Sequence, residues 1–120
     1  MVKQVVRLTV SLAVTDGHLE RFKSIAQSMT EVSKAEPGTL GYEWFSSPDE
    51  KNFRIVETYA DSSAIEAHFM GAAVQQWVPQ IAEHCKVTAF EIYGDPGAKV
   101  AEIAGGFGAV VFPYWLGINR

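Results

Sequence analysis

EPGTLGYEWFSSPDEKNFRIVETYADSSAIEAHF, residues 36–69 of a 120-residue chain, decides how the rest is read. It opens on a turn, because Pro37 cannot donate a backbone hydrogen bond and Gly38 tolerates conformations other residues avoid. Alternate residues then share a face, with Leu40, Tyr42 and Trp44 on one side and Gly41, Glu43 and Phe45 on the other, which is the period of a strand. Ser46-Ser47-Pro48-Asp49 makes the next turn. After Glu50 and Lys51 a further strand sets Phe53, Ile55, Glu57 and Tyr59 against Arg54, Val56 and Thr58, and so short a connection predicts an antiparallel hairpin. Asp61-Ser62-Ser63 opens a helix, with Ser63 and Glu66 at capping-box spacing and Ile65, His68, Phe69, Ala72 and Ala73 as its inner stripe.

Upstream, Val6, Leu8, Val10, Leu12 and Val14 alternate with Val5, Arg7, Thr9, Ser11 and Ala13, predicting a first strand. Thr15-Asp16-Gly17 supplies a turn and cap for an amphipathic helix of about five turns on Leu19, Phe22, Ile25, Ala26, Met29 and Val32, ending near Glu36. Downstream, Gly71 and Pro79 break the second helix into two pieces, the later one built on Val74, Trp77, Val78, Ile81 and Ala82. A fourth strand runs from Val87 to Tyr93, with Val87, Ala89, Glu91 and Tyr93 on one face and Thr88, Phe90 and Ile92 on the other, until Gly94-Asp95-Pro96-Gly97 stops it. Beyond it come a short helical piece over 98–104, a glycine-rich bend at Gly105-Gly106-Phe107-Gly108 and a strand-like stretch over 109–115.

The order β-α-β-β-α-β predicts an α+β, ferredoxin-like fold: an antiparallel four-stranded sheet with both helices on one face. It is expected to form one domain over residues 1–94, with residues 95–120 as a C-terminal extension. The sheet face without helices still carries apolar side chains, which predicts a second copy across a twofold axis, a homodimer.

A net charge of −4 with ten scattered Lys and Arg excludes the clustered cations that nucleic acid demands. Lys3, Gln4 and Arg7 interrupt the N-terminal apolar stretch, so it reads as a strand and not a secretion signal. The single cysteine, Cys85, allows no intrachain disulfide, in keeping with a cytoplasmic location. The apolar run from Ile103 to Ile118 is shorter than the roughly 20 residues a membrane span needs and is broken by glycines and Pro113. Neither a membrane nor a nucleic acid is therefore an expected partner. His18 and His84, at predicted helix ends, read as solvated, and their spacing forms no metal site.

Glu36-Pro37-Gly38-Thr39-Leu40, Tyr42, Glu57, Tyr59 and the helical run Ala64 to His68 resemble the antibiotic biosynthesis monooxygenase family, over Val5 to Tyr93. The resemblance implies a dimeric α/β barrel. For members that act as oxygenases it implies chemistry with neither metal nor flavin, in which a small phenol, hydroquinone or anthrone is deprotonated and itself gives an electron to O2. On that reading no cofactor is needed and the partner is a small aromatic molecule. His68 is the catalytic base, since histidine titrates near neutral pH. Tyr42, Trp44, Glu57, Tyr59, Phe69 and Trp77 bind the substrate by stacking and hydrogen bonding. The chain departs from the family in lacking a second histidine around Gly71-Ala72-Ala73-Val74 and in having tyrosine at position 59, where tryptophan is common. It also lacks the first-strand asparagine of heme-degrading members, which makes heme degradation a lesser alternative.

Other readings of the same residues stay open. His68 on an inner stripe also fits a core histidine, Trp44, Trp77 and Phe69 fit a core, and Glu57 fits a salt bridge to Arg7 or Arg54. Those readings together describe a non-catalytic dimeric barrel that binds a small hydrophobic ligand.

Overall fold

The computed structural model describes residues 4–120; residues 1–3, where the expected domain begins and Lys3 stands, lie outside the described residues. The elements are β1 (Val6–Val14), α1 (Leu19–Ser33), β2 (Thr39–Ser46), β3 (Asn52–Tyr59), α2 (Ser62–Met70), a π-helical turn (Ala73–Trp77), α3 (Val78–Ile81), β4 (Cys85–Tyr93), α4 (Ala98–Gly105) and β5 (Val110–Phe112). The fold is α+β and ferredoxin-like, with the sheet order β2-β3-β1-β4-β5. The sheet has five strands and not the expected four. β5 joins the edge of β4 in parallel, pairing Ile92 with Val111 and Tyr93 with Phe112. Parallel neighbours need a crossover, and α4 supplies it, with Val100 and Ala104 buried in the core.

Strand period fixes what faces the helices. Val6, Leu8, Val10 and Leu12 of β1, Phe53, Ile55 and Tyr59 of β3 and Ile92 of β4 pack against Phe22, Ile25 and Met29 of α1 and Ile65 and Phe69 of α2. In β4 the strict alternation fails, because the register slips between Ser11 and Leu12 of β1: Ser11 faces Ala89 but Leu12 faces Val87. The bulge inserts one residue and turns Val87 to the same side as Phe90.

Two caps also differ from the expectation. Asp61, and not Ser63, caps α2, its carboxylate accepting from the Ala64 N–H at 2.9 Å. α1 is 15 residues long and starts after His18, with no side-chain cap. The second helix does break. Gly71 ends α2, and the π turn widens the helical ladder just ahead of Pro79, whose ring would otherwise meet the carbonyl four residues back. Beyond β5 the chain is exposed, with Trp115, Leu116 and Ile118 bare.

Gly38 sets how closely α2 docks on the start of β2. A Cβ there would lie 2.5 Å from the Ala64 Cβ, and the Gly38 carbonyl accepts from the Ala60 N–H at 2.9 Å. Gly38→Val is expected to lower unfolding stability by about 1–3 kcal/mol, the usual penalty for overpacking. Urea titration checks this against Gly105→Ala, where an added Cβ meets nothing and no loss is expected.

Candidate active site

The β2–β3 register places Tyr42 opposite Glu57 and Trp44 opposite Ile55, so the two strands present their polar groups to one side. α2 lies across that side and buries His68 against it. The imidazole stands 5.4 Å from the Tyr42 ring and 5.3 Å from the Tyr59 ring, centroid to centroid. His68 Nδ1 is 2.7 Å from Glu36 Oε1, and the same oxygen accepts from the Thr39 hydroxyl at 2.7 Å. A carboxylate can only accept, so it places the ring proton on Nδ1 and leaves the Nε2 lone pair facing inward. Nε2 lies 3.7 Å from Glu57 Oε1, beyond hydrogen-bond range. The Tyr59 hydroxyl donates to that Glu57 oxygen. Glu36, His68, Glu57 and Tyr59 thus form a continuous polar row in an otherwise apolar interior.

Burial pushes Glu57 above the usual carboxylate range, and the neighbouring Glu36 adds to the push; His68 and the Tyr59 hydroxyl pull the other way without offsetting it. Burial, before any contribution from Glu57 and Glu36 nearby, likewise raises the Tyr42 and Tyr59 phenols. Burial raises the Cys85 thiol to about 11, so it is not a thiolate at neutral pH.

The row opens on a cavity of about 200 Å³ between the sheet and α1, α2, the π turn and α3. Tyr42, Trp44, Glu57, His68 and Phe69 line it, as do Leu8, Val10, Met29, Val78, Ile81, Cys85, Val87, Phe90 and Phe107. Tyr59 reaches it only through Glu57, and Trp77 is half-buried outside its lining. The Nε1–H groups of Trp44 and Trp77 are buried without an acceptor.

Two placements differ from the sequence reading. Glu57 pairs with neither Arg7 nor Arg54: both arginines stand at alternate strand positions, on the opposite face, and are exposed. His18 and His84 are not simply solvated but part-buried against each other, Nδ1 to Nδ1 at 2.9 Å. Two site residues receive no role in the sequence reading, Glu36 entering it only within the run Glu36 to Leu40. No local spacing distinguishes Glu36, a carboxylate that meets a histidine 32 positions away, and Phe107 reads only as part of a glycine-rich bend. Among the described residues no group of three metal-binding side chains is found, and no helix is long and apolar enough to cross a membrane.

A ferredoxin-like sheet with a buried row of carboxyl, imidazole and phenol groups beneath its helices defines the class. The chain belongs to the antibiotic biosynthesis monooxygenase family, which it matches over residues 5–80, more than half its length. Its general character is accordingly monooxygenase-like. The fold is shared with MupZ of Pseudomonas fluorescens, at 17% identity and a TM-score of 0.83, covering 98% of this chain and 95% of that one. A conserved Bacteroides thetaiotaomicron protein described as a possible oxidoreductase is 27% identical, with a TM-score of 0.68 over 76% of this chain and 97% of its own. A Nitrosomonas europaea protein assigned to the antibiotic biosynthesis monooxygenases is 23% identical, with a TM-score of 0.68 over 79% and 93%. Comparison with curated proteins gives no match.

The raised Glu57 pKa makes a stability prediction. A carboxyl that keeps its proton in the folded state while the unfolded chain releases it favours folding at low pH; that stability is lost as pH climbs from the ordinary value of about 4.3 toward the folded pKa. Glu57→Gln cannot release a proton, so it is expected to gain on the wild type by up to about 1.4 kcal/mol per pH unit across that window. Urea unfolding of both proteins between about pH 4 and pH 7 measures it; a constant difference would show that Glu57 is not shifted.

Proposed function

We propose that the protein oxidises a small phenol or hydroquinone with O2 without a cofactor, His68 being the base that generates the reactive anion. The observation that carries this reading is the setting of His68: Glu36 occupies Nδ1, Nε2 has no hydrogen bond of its own and stands 3.7 Å from Glu57 Oε1, and the residue lines an apolar cavity. A base so held is fixed in one tautomer and rotamer, which geometry-dependent proton transfer needs. The cavity, at about 200 Å³, exceeds the roughly 150 Å³ that holds a benzene and falls below the range of roughly 300–1,000 Å³ for larger ligands. That size favours one-ring substrates over three-ring anthrones. Tyr42 and Trp44 offer edges and faces for stacking, and the unpartnered Trp44 Nε1–H is the donor that a substrate oxygen would satisfy.

In this reaction His68 takes the phenol proton at Nε2, and the phenolate passes an electron to O2. Recombination forms a carbon–oxygen bond on the ring, and loss of water leaves the quinone, so phenol plus O2 becomes quinone plus water. The same cavity also fits simple binding of a small hydrophobic ligand, since all but a few lining groups are apolar.

Homodimerisation through the sheet face opposite the helices is part of the proposal. Phe45, Tyr93, Val110 and Phe112 project there, each more than a third exposed in the single chain. Light scattering is expected to give twice the chain mass of 13.2 kDa, and Phe112→Glu to shift it toward the single-chain value.

With metal-free protein and a panel of one- and two-ring phenols and hydroquinones, oxygen uptake and quinone absorbance are expected to rise above background. His68→Ala should remove at least about 10²-fold of that rate, and Glu36→Gln a smaller part by releasing the ring. A wild-type rate equal to background, or a His68→Ala rate equal to wild type, rejects the reading.

A further inference from the structure

The oxidation reading uses one end of the polar row and leaves the other idle. Glu57 is fully buried, lines the cavity and lies beside the base, its Oε1 3.7 Å from His68 Nε2. The Tyr59 hydroxyl already donates to that Oε1, so a proton on Glu57 sits on Oε2. Arg7 and Arg54, the cations expected to pair with it, stand on the opposite face of the sheet. Buried with no guanidinium or ammonium partner among the described residues, the carboxyl is pushed toward its neutral form. A carboxyl whose burial favours its protonated form and an imidazole nitrogen thus stand side by side at one wall of the cavity, 3.7 Å apart at their nearest atoms.

The geometry points to a second activity at this site: enolisation of a small cyclic ketone, in which His68 takes the α-carbon proton while Glu57 donates to the carbonyl oxygen. This rests on the reading of His68 as the base. In the forward step the C–H bond breaks, and its electron pair becomes the carbon–carbon double bond of the enol. The carbonyl π pair takes the Glu57 proton as a new O–H bond. His68 then carries the carbon's proton and Glu57 is a carboxylate. Reversal restores both residues. No electrons leave the substrate, so neither O2 nor any other oxidant enters. A cavity of this size takes a one- or two-ring ketone, and against the apolar wall formed by Leu8, Val10 and Phe90 the carbonyl finds its polar contacts at the polar row and the Trp44 Nε1–H. A buried carboxylic acid kept neutral to donate to a developing enolate is an established way of stabilising one.

The test is deuterium exchange at the α-carbon of 2-tetralone in oxygen-free D2O, monitored by the loss of its proton resonance. The wild type is expected to exchange well above buffer alone, His68→Ala to fall to the buffer rate, and Glu57→Gln to lose about 10²-fold. Glu57→Asp, which keeps the acid on a shorter stem, should recover part of that loss, as a merely structural role for Glu57 would not. Circular dichroism and urea titration of each variant establish that it is folded. A wild-type rate no faster than buffer, or folded Glu57→Gln at the wild-type rate, overturns the inference. Oxygen uptake with hydroquinones is measured on the same preparations. Uptake without exchange rejects the enolisation alone, exchange without uptake supports it and rejects the oxidation, and absence of both rejects His68 as a base.

Discussion

The contact on which the site depends is the 2.7 Å bond between Glu36 and His68. It joins the turn ahead of β2 to the last turn of α2, two parts of the chain that local sequence does not connect. Its geometry is possible because Gly38 and Ala64 touch with nothing larger than hydrogen and methyl between them. Gly71 repeats the arrangement at the other end of α2, where an added Cβ would come within 3.2 Å of Glu36 Oε2. Small residues on both sides of Glu36 thus let a long side chain reach a ring that is 2% exposed. Were α2 displaced, Nδ1 would lose its acceptor and the imidazole would be free to choose either tautomer.

That bond also sorts the electrostatics of the site. Glu36 lies part-exposed and shares its oxygen with Thr39, whereas Glu57 is buried and, among the described residues, its only hydrogen-bond donor is a phenol. Two carboxyl groups flank one histidine in unlike surroundings, which is the arrangement that separates their roles. The part-exposed one holds the ring through Nδ1. The buried one is driven to keep its proton. Their difference comes from depth in the fold and not from residue type, since both are glutamates.

Much of the architecture is legible in the sequence because it rests on period and punctuation. The alternation of Val6 to Val14 and of Phe53 to Tyr59, the breaks at Pro37 and Gly71, and the turn at Pro48 all act within a few residues. The features that escape such a reading act across the chain. The bulge that turns Val87 inward depends on pairing with β1, and β5 becomes a sheet strand only once α4 returns the chain to the β4 edge. At the site, spacing places Tyr42, Glu57 and His68 on their faces, but it reveals neither the partner of Glu57 nor the role of Glu36. An arginine on the same strand is the nearer guess by sequence, and the pleat puts it on the wrong side of the sheet.

The division of labour along the chain bears on specificity. Glu36, Tyr42, Glu57, Tyr59 and His68 all fall within residues 5–80, the part that matches the family. Cys85, Val87, Phe90 and Phe107 fall beyond it, and they form the cavity wall contributed by β4 and the segment after α4. Val87 and Phe107 are both about half-exposed while lining the cavity, so this wall meets the surface and shapes the way in. The hydrogen-bonded row is therefore held by the family part of the fold, which also supplies most of the cavity lining, while β4 and the residues C-terminal to it complete the wall that meets the surface. Because Phe90 and Phe107 take no part in the hydrogen bonds that orient His68, that part of the wall is free to differ in size without disturbing the row.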